Sequence, residues 1–346
     1  MTINNQGIGG LCNMSFLYVT ENGAQIAVKD RYVEVRCKDN LVRKVPIETL
    51  ESISVFGKSQ MTTQCTIECL QRGISVSYYS KSGSYFGRLE STGHIMVERQ
   101  RKQDKLYESE FAFELGKKIL FAKIKNQEVV LRRYARNKSE DITEEIKMVE
   151  IFAHKLQGCD TVERMMGYEG TAAKYYFKGL SKLVDEKFKF NGRSKRPPKD
   201  EFNAMLSLGY AILMNELYGK IQNKGLNPYF GFIHKDRERH PTLASDLIEE
   251  WRAVIVDSVV MSLVNGHEIF LEHFYHDIDE PGYFLNKEGM KIFLNKLEAK
   301  EHTDTKYLTY IDYAVNFRRA IELQVGQLVK AIEAEDATIY EPVRIR

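Results

Sequence analysis

The sequence has little of what would mark a secreted, membrane-bound or nucleotide-powered protein. Its five cysteines among 346 residues (Cys12, Cys37, Cys65, Cys69 and Cys159) form an odd, scattered set without a CxxC pair, which argues against a disulfide framework or zinc ribbon and for reduced thiols in a cytosolic protein. No apolar run reaches the roughly 18 residues that a bilayer span needs, and the polar start MTINNQGIGG has neither the basic nor the apolar part of a signal peptide. A soluble, cytoplasmic chain without membrane contact is the expectation. There is no GxGxxG, no Walker loop and no GxSxG elbow, so dinucleotide, P-loop and α/β-hydrolase chemistry lack support. Charge of one sign is missing too: 50 Lys and Arg stand against 48 Asp and Glu, a net charge of +2, so any contact with nucleic acid has to come from local clustering.

Apolar mass is not lacking. With 43% hydrophobic content over 346 residues, and about 150 residues per domain, the chain reads as two domains with real cores. From Phe16 to about Glu90, AQIAVKD, YVEVRC, LVRKVPI, SISVFG, ISVSYYS and YFGRLE are short runs rich in Val, Ile and Tyr, separated by turn residues such as Glu21-Asn22-Gly23 and Lys81-Ser82-Gly83. They predict six strands. Thr63 to Arg72, followed by Gly73 as a stop, predicts one short helix with Cys65 and Cys69 on a shared face. After His94 the period turns helical, with Phe111, Leu115, Ile119, Ala122 and Ile124 at helical spacing in a long first helix. Further helices are expected over Ile142 to Leu156, Thr171 to Lys182, Asp200 to Lys224, Thr242 to Asn265, Lys287 to Leu297 and Ile311 to Glu333. The expected class is α+β: a small N-terminal β-rich domain over 14–94, then a larger all-α domain over 106–335 that would carry catalysis, with a linker at 95–105 and a tail at 336–346. Residues 1–13 precede the strand-like run that Met14 opens and read as a flexible extension or a remnant of cloning.

Three stretches of the helical part combine metal-binding side chains with unusual surroundings. In Met166-Gly167-Tyr168-Glu169-Gly170-Thr171-Ala172-Ala173 a carboxylate stands between glycines at an expected helix start. Either the missing side chains let a backbone, a metal or a phosphate come close, or Glu169 merely offsets a helix dipole. Tyr229 to His234 is an apolar run that ends in a histidine, just before the charged loop Lys235 to His240 with Arg237 and Arg239. Ser245 to Arg252 follows within one loop, and helical spacing puts Asp246 and Glu249 on one face with Leu247 and Trp251 turned to the core. Together His234, Glu169 and these acids supply one imidazole and up to three carboxylates, a mixed set that suits Mn²⁺ or Mg²⁺ and leaves positions for water and a phosphate oxygen. A rival group, His273 and His276 with Asp277, reads as an exposed tip where a helix ends at Asp279-Glu280-Pro281-Gly282. The basic loop Arg193, Lys195, Arg196 and Lys199 is a candidate phosphate contact or a solvated loop. Residues 95–140, with 12 basic and 7 acidic side chains, give modest further support for contact with a nucleic-acid backbone.

The blocks GYEGTAAKYYF, RPPKDEFNAMLSLGYAIL and GFIHKDRERHPTLASDLIEEWRAVIVD, in this order, resemble the signature blocks of the CRISPR-associated integrase of the adaptation module, the Cas-one family. ISVSYYSKSGSYFGRL and KIKNQEVVLRR look like their family counterparts, so the resemblance covers most of the chain. It implies an N-terminal β domain, a helical domain holding Mg²⁺ or Mn²⁺, and a homodimer that assembles with the small Cas-two protein on double-stranded DNA, captured fragment and CRISPR repeat alike. A further nuclease that trims the captured DNA is a possible additional partner. Carried over by position, the metal ligands are Glu169, His234 and Glu249, with Asp246 as the acid beside the site. The implied activity is a divalent-metal-dependent endonuclease and integrase, in which a 3′-hydroxyl of captured DNA attacks a repeat phosphodiester. Arg193, Lys195, Arg196, Arg237 and Arg239 are then candidate DNA contacts. A metal-dependent nuclease acting on branched DNA in repair would use the same residues, and a non-catalytic DNA scaffold would need none of them.

Overall fold

Short β-branched runs, cut by residues that accept left-handed backbone, build the first part of the chain. A computed structural model describes residues 15–38, 40–136, 138–276 and 281–346, and the chain divides after Gly93 into two units. The first contains β1 (Ser15–Val19), β2 (Gln25–Lys29), β3 (Tyr32–Cys37), β4 (Asn40–Pro46), β5 (Leu50–Phe56), β6 (Gln60–Met61), α1 (Thr63–Arg72), β7 (Ser75–Tyr79) and β8 (Tyr85–Leu89). Two four-stranded sheets result, in the orders β4-β3-β2-β6 and β1-β5-β7-β8. Asp30 and Arg31, with φ of 49° and 65°, make the two-residue turn that sets Lys29 opposite Tyr32, the mirror-image turn that suits a twisted hairpin. The Thr62 hydroxyl caps α1 by accepting from the Cys65 amide at 3.3 Å. Cys65 and Cys69, one helical turn apart, are fully buried with Val19, Ile26, Val33, Ile53 and Val76 in one core. β6 has two residues, too few to show a period. The start expected at Met14, the extension 1–13 and Cys12 lie outside the described residues.

The second unit is built on long helices: α2 (Val97–Lys105), α3 (Glu110–Ala135), α4 (Thr143–Gln157), α5 (Val162–Leu183), α6 (Glu201–Asn223), α7 (Thr242–Leu247), α8 (Ser258–Asn265), α9 (Lys287–Glu301) and α10 (Phe317–Ala334). Ser109, Thr161 and Asp200 cap α3, α5 and α6 with side-chain oxygens, the residue types that best satisfy a helix's free amides. Two short antiparallel pairs, β9 (Phe274–His276) with β10 (Tyr283–Leu285) and β11 (Asp304–Thr305) with β12 (Val315–Asn316), interrupt the helices. No helix among the described residues is long and apolar enough to cross a membrane.

Five local expectations change. The helix expected from Ile311 starts only at Phe317, where the Asn316 side chain caps α10 after β12. Thr171 to Lys182 is the second half of α5, because Thr161 caps the helix ten residues earlier and carries it through Gly167 and Gly170. The helix expected over Thr242 to Asn265 is broken: after α7 come a tight 3₁₀ turn at Ile248–Glu250 and a wide π turn at Arg252–Asp257, before α8. Such turns recur at functional sites. Within the expected linker 95–105, α2 is anchored by the fully buried Gln103, whose amide donates to the Asn227 and Phe230 carbonyls at 2.9 and 2.7 Å. The expected tail 336–346 is strapped against the unit: Tyr340, Val343 and Ile345 are buried, and Lys118 of α3 donates to the carbonyls of Ala337, Thr338 and Tyr340 at 2.8, 2.9 and 3.0 Å.

Candidate active site

The site forms where a lysine interrupts an apolar stripe. Phe111, Leu115 and Ile119 recur every fourth residue along the buried face of α3, and the next position on that line is Lys123. Its ammonium contacts Glu169 of α5 and lies 2.5 Å from Glu249 Oε2 in the 3₁₀ turn. Burial opposes a charge on Lys123, but Glu169 and Glu249 outweigh it and raise its pKa above the ordinary value. Two carboxylates from separate stretches of the chain, Glu169 and Glu249, thus meet on one cation.

His234 and Asp246 complete the cluster. Asp246 is 1% exposed, and its carboxylate is wrapped by the loop before it. Oδ2 accepts from the amides of Phe232 and Ile233 at 2.6 and 3.0 Å, and Oδ1 accepts from the amide and Nδ1 of His234 at 3.1 and 2.7 Å. Only glycine fits at 231, since a Cβ there would stand 2.7 Å from both Asp246 Oδ2 and Thr242 Cγ2. With Nδ1 committed to Asp246, the other ring nitrogen, Nε2, points to Glu249 Oε1 at 3.8 Å. Burial of the ring opposes its charge, but the hydrogen bond and charge of Asp246, with the charge of Glu249, lift the His234 pKa above its usual value.

Glu249 is 4% exposed. Burial favours its neutral form, yet Arg252, Lys123 and His234 together pull its pKa down to about 2, so it is a carboxylate at any physiological pH. Arg252 reaches Glu249 Oε1 at 3.3 Å and lies over the Tyr210 ring at 4.8 Å, with Arg193 over the same ring at 5.2 Å. Asp257 of the π turn fixes that ring by accepting from Tyr210 and, at 2.7 Å, from Tyr176; burial pushes the Asp257 pKa up to about 6 despite both bonds.

The expected site residues therefore divide. Glu169, His234, Asp246 and Glu249 are brought together, and Asp246 and Glu249 take different neighbours although they share a face. Arg193 is tied to α6 through Asn203 Oδ1 and Ser207 Oγ at 2.9 and 3.1 Å. Lys195 is exposed, and its pKa is lowered by partial desolvation and then by the charges of Arg252 and Arg193. Arg196, Arg237 and Arg239 are exposed. The rival histidines lie elsewhere: His273 is buried and its Nδ1 accepts from the Phe270 amide at 3.0 Å, while His276 sits in β9 against Tyr283. His276 belongs to a hairpin, because Phe274–His276 pairs with Tyr283–Leu285, and His273 ends the 3₁₀ turn Leu271–His273 just before it; Asp277, Asp279 and Glu280 are outside the described residues. Sequence reasoning missed Lys123 and Arg252, and only the apolar stripe of α3 could have marked the first.

Gly167 and Gly170 flank Glu169 in mid-helix, exposed, and a Cβ at either would meet nothing within 4 Å. No packing in this chain asks for glycine there. Gly167→Ala or Gly170→Ala is expected to stabilise the fold by about 0.5–1 kcal/mol, read as a higher Tm; an unchanged or lower Tm would contradict the open space at these positions.

A divalent ion suits the donor set. Among the described residues no three acids, histidines or cysteines already stand at ligand distance from one point, and the Lys123 ammonium stands between Glu169 and Glu249. The two carboxylates flank a cation now, with the free ring nitrogen of His234 facing one of them, and this oxygen-rich set suits a hard divalent ion better than zinc.

Comparisons with known proteins show the family of the chain. The family model described as CRISPR associated protein Cas1 matches residues 17–299. The CRISPR-associated endonuclease Cas1 of Mycobacterium tuberculosis (strain CDC 1551 / Oshkosh) is 34% identical over 322 residues, 92% of this chain and 94% of that one. In fold, the chain is similar to a casposase bound to its integration product, with a TM-score of 0.80 at 21% identity over 96% of each chain. It is also similar to a chain of a Cas6-RT-Cas1–Cas2 complex, with a TM-score of 0.83 at 22% identity, covering 99% of this chain and 38% of that longer one. From its sequence match through most of its length and its shared fold, the chain belongs to the family of the CRISPR-associated endonuclease Cas1.

Proposed function

We propose that the chain is the integrase of CRISPR adaptation, joining captured DNA to a CRISPR repeat by phosphodiester transesterification at the Glu169, His234 and Glu249 site. The observation that carries this reading is the convergence of those three side chains, from three separate stretches of a chain in the Cas1 family, in one buried cluster: Glu169 and Glu249 share the Lys123 ammonium, and His234 Nε2 faces Glu249 Oε1 at 3.8 Å. They are the proposed ligands of Mg²⁺ or Mn²⁺. When bound, such an ion polarises the phosphodiester and stabilises the charge that develops as a 3′-hydroxyl attacks in line.

The chain's own groups do the rest. Asp246 holds the His234 ring through Nδ1, so that Nε2 faces the site, and is a positioning residue, not a ligand. Arg252 supplies fixed positive charge beside Glu249 for a DNA phosphate, with the exposed Lys195 as a further candidate contact. Arg193 supports Tyr210 under Arg252, while the exposed Arg196, Arg237 and Arg239 are candidate contacts farther along a duplex. The similar chain in a complex with Cas2 supports a small Cas2-type partner, and the proposal has the chain act with it as a homodimer on two double-stranded DNAs.

Strand transfer tests the proposal, using the full chain, a Cas2-type partner, Mn²⁺ or Mg²⁺, a short duplex with free 3′-hydroxyls and a plasmid carrying a repeat. Covalent joining at the repeat boundary is expected for the native chain. It should vanish for Glu169→Ala and His234→Ala with both variants still folded. Joining that survives either substitution would overturn the assignment.

A further inference from the structure

Lys123 has no role in the reading above, yet it occupies the middle of the site. We propose that its ammonium is a resident counter-cation which a divalent ion must displace, so that loading the site exchanges a tethered cation for a free one. The inference rests on Glu169 and Glu249 being the metal ligands. Its own support is geometric. The ammonium stands 2.5 Å from Glu249 Oε2 and in contact with Glu169 Oε1, and Mg²⁺–oxygen distances are about 2.1 Å. An ion drawn to the same two oxygens would overlap the nitrogen, so the two cations cannot share them.

The residue type fits such a role. Two carboxylates with side chains 14% and 4% exposed face one another across this space. Without a cation between them, like charges would be buried together at high cost. Arg252 offsets part of the Glu249 charge at 3.3 Å, but its guanidinium is held over Tyr210. Lysine, a compact charge on a flexible four-carbon stem, can fill the gap in the empty state and swing away from it, which a stacked, planar arginine cannot do. The same charge opposes metal entry, since any divalent ion must first break two short ion pairs and then tolerate a displaced ammonium nearby.

Calorimetric titration of Mn²⁺ alone into the native full chain, Lys123→Met and Glu169→Ala tests this without DNA or turnover. Lys123→Met is expected to bind Mn²⁺ at least tenfold more tightly than the native chain, and Glu169→Ala to lose binding. In the native chain, acylation of Lys123 by an amine-reactive ester, followed by mass spectrometry, should speed up when Mg²⁺ is added, because the ammonium is released. Should Lys123→Met fail to fold, that second measurement decides alone. Equal or weaker Mn²⁺ binding by Lys123→Met, or Lys123 acylation that stays constant or slows with Mg²⁺, overturns the exchange while leaving the ligands in place. A native chain that takes up no Mn²⁺, or Glu169→Ala binding as well as native, brings down the metal reading and the exchange with it.

Discussion

Asp246→Asn is expected to cut strand transfer about 100-fold and to weaken Mn²⁺ binding, although the substitution hardly changes shape. The carboxylate accepts four hydrogen bonds: three from consecutive backbone amides, 232 to 234, and one from His234 Nδ1. An amide has one accepting oxygen and one donating nitrogen. If the Asn oxygen keeps the amides of Phe232 and Ile233, its NH₂ faces Nδ1, which must then accept. The ring proton moves to Nε2, and the lone pair directed at the site is lost. If the amide turns over, two backbone N–H groups meet an NH₂ and the GFIH loop is forced open. Either way the imidazole is mispresented, and loss of such a positioning bond typically costs 10- to 100-fold in metal affinity or activity. Asp246→Ala should be worse for the fold, because it orphans the buried amides at about 1–3 kcal/mol each. Strand transfer by Asp246→Asn within threefold of native would show that His234 needs no such support.

The roles of Asp246 and Glu249 also show what is legible in this sequence and what is not. Helical spacing places both acids on one face, and both do flank His234, one at each ring nitrogen. Which of them faces the cation depends on a loop that folds back over 12 residues to wrap Asp246, and no periodicity records that. Six of the eight strands of the first unit were readable because alternating apolar residues and turn residues are local signals, while β1 and β6 were not among those expected, and α1 keeps its expected limits. Lys123 was hidden in plain view. It continues the 111-115-119 stripe of α3, but a lysine in a basic helix reads as a surface residue unless something buried can neutralise it, and its partners lie 46 and 126 positions away. The broken helix after α7 was beyond a 3.6-residue period altogether. Consecutive residues Glu249 and Glu250 both turn inward there, which a regular helix would forbid for any one neighbour: the first faces the site, the second faces the C-terminal strap. The strap itself carries four buried apolar residues, Ala337, Tyr340, Val343 and Ile345, too few to announce that the tail belongs to the core.

Glu250 makes that strap sensitive to pH, and Glu250→Gln should remove the sensitivity. The carboxyl is fully buried. It accepts from the Tyr340 hydroxyl, from the Val343 amide at 2.7 Å and from Gln324 Nε2 at 3.3 Å. Burial raises its pKa to about 8 from an ordinary 4.5, although the bonds from Tyr340 and Val343 work the other way. The folded chain therefore holds this proton to higher pH than the unfolded chain does. Between about 4.5 and about 8 the folded state binds more protons, so stability falls as pH rises through that window and is lost in full above it. From pH 6 to pH 9 the native chain should lose on the order of 2 kcal/mol from this group. Gln is uncharged at every pH and keeps an oxygen for Val343 and Gln324, so Glu250→Gln should match the native Tm near pH 6 and exceed it near pH 9. Because Asn126 of α3 donates to the Glu250 and Val343 carbonyls, both at 3.0 Å, loosening the strap at high pH also loosens the turn that carries Glu249 against the helix that carries Lys123. Mn²⁺ binding by the native chain should weaken above pH 8 more than binding by Glu250→Gln does, and parallel pH profiles of Tm for the two proteins would refute a neutral, buried Glu250.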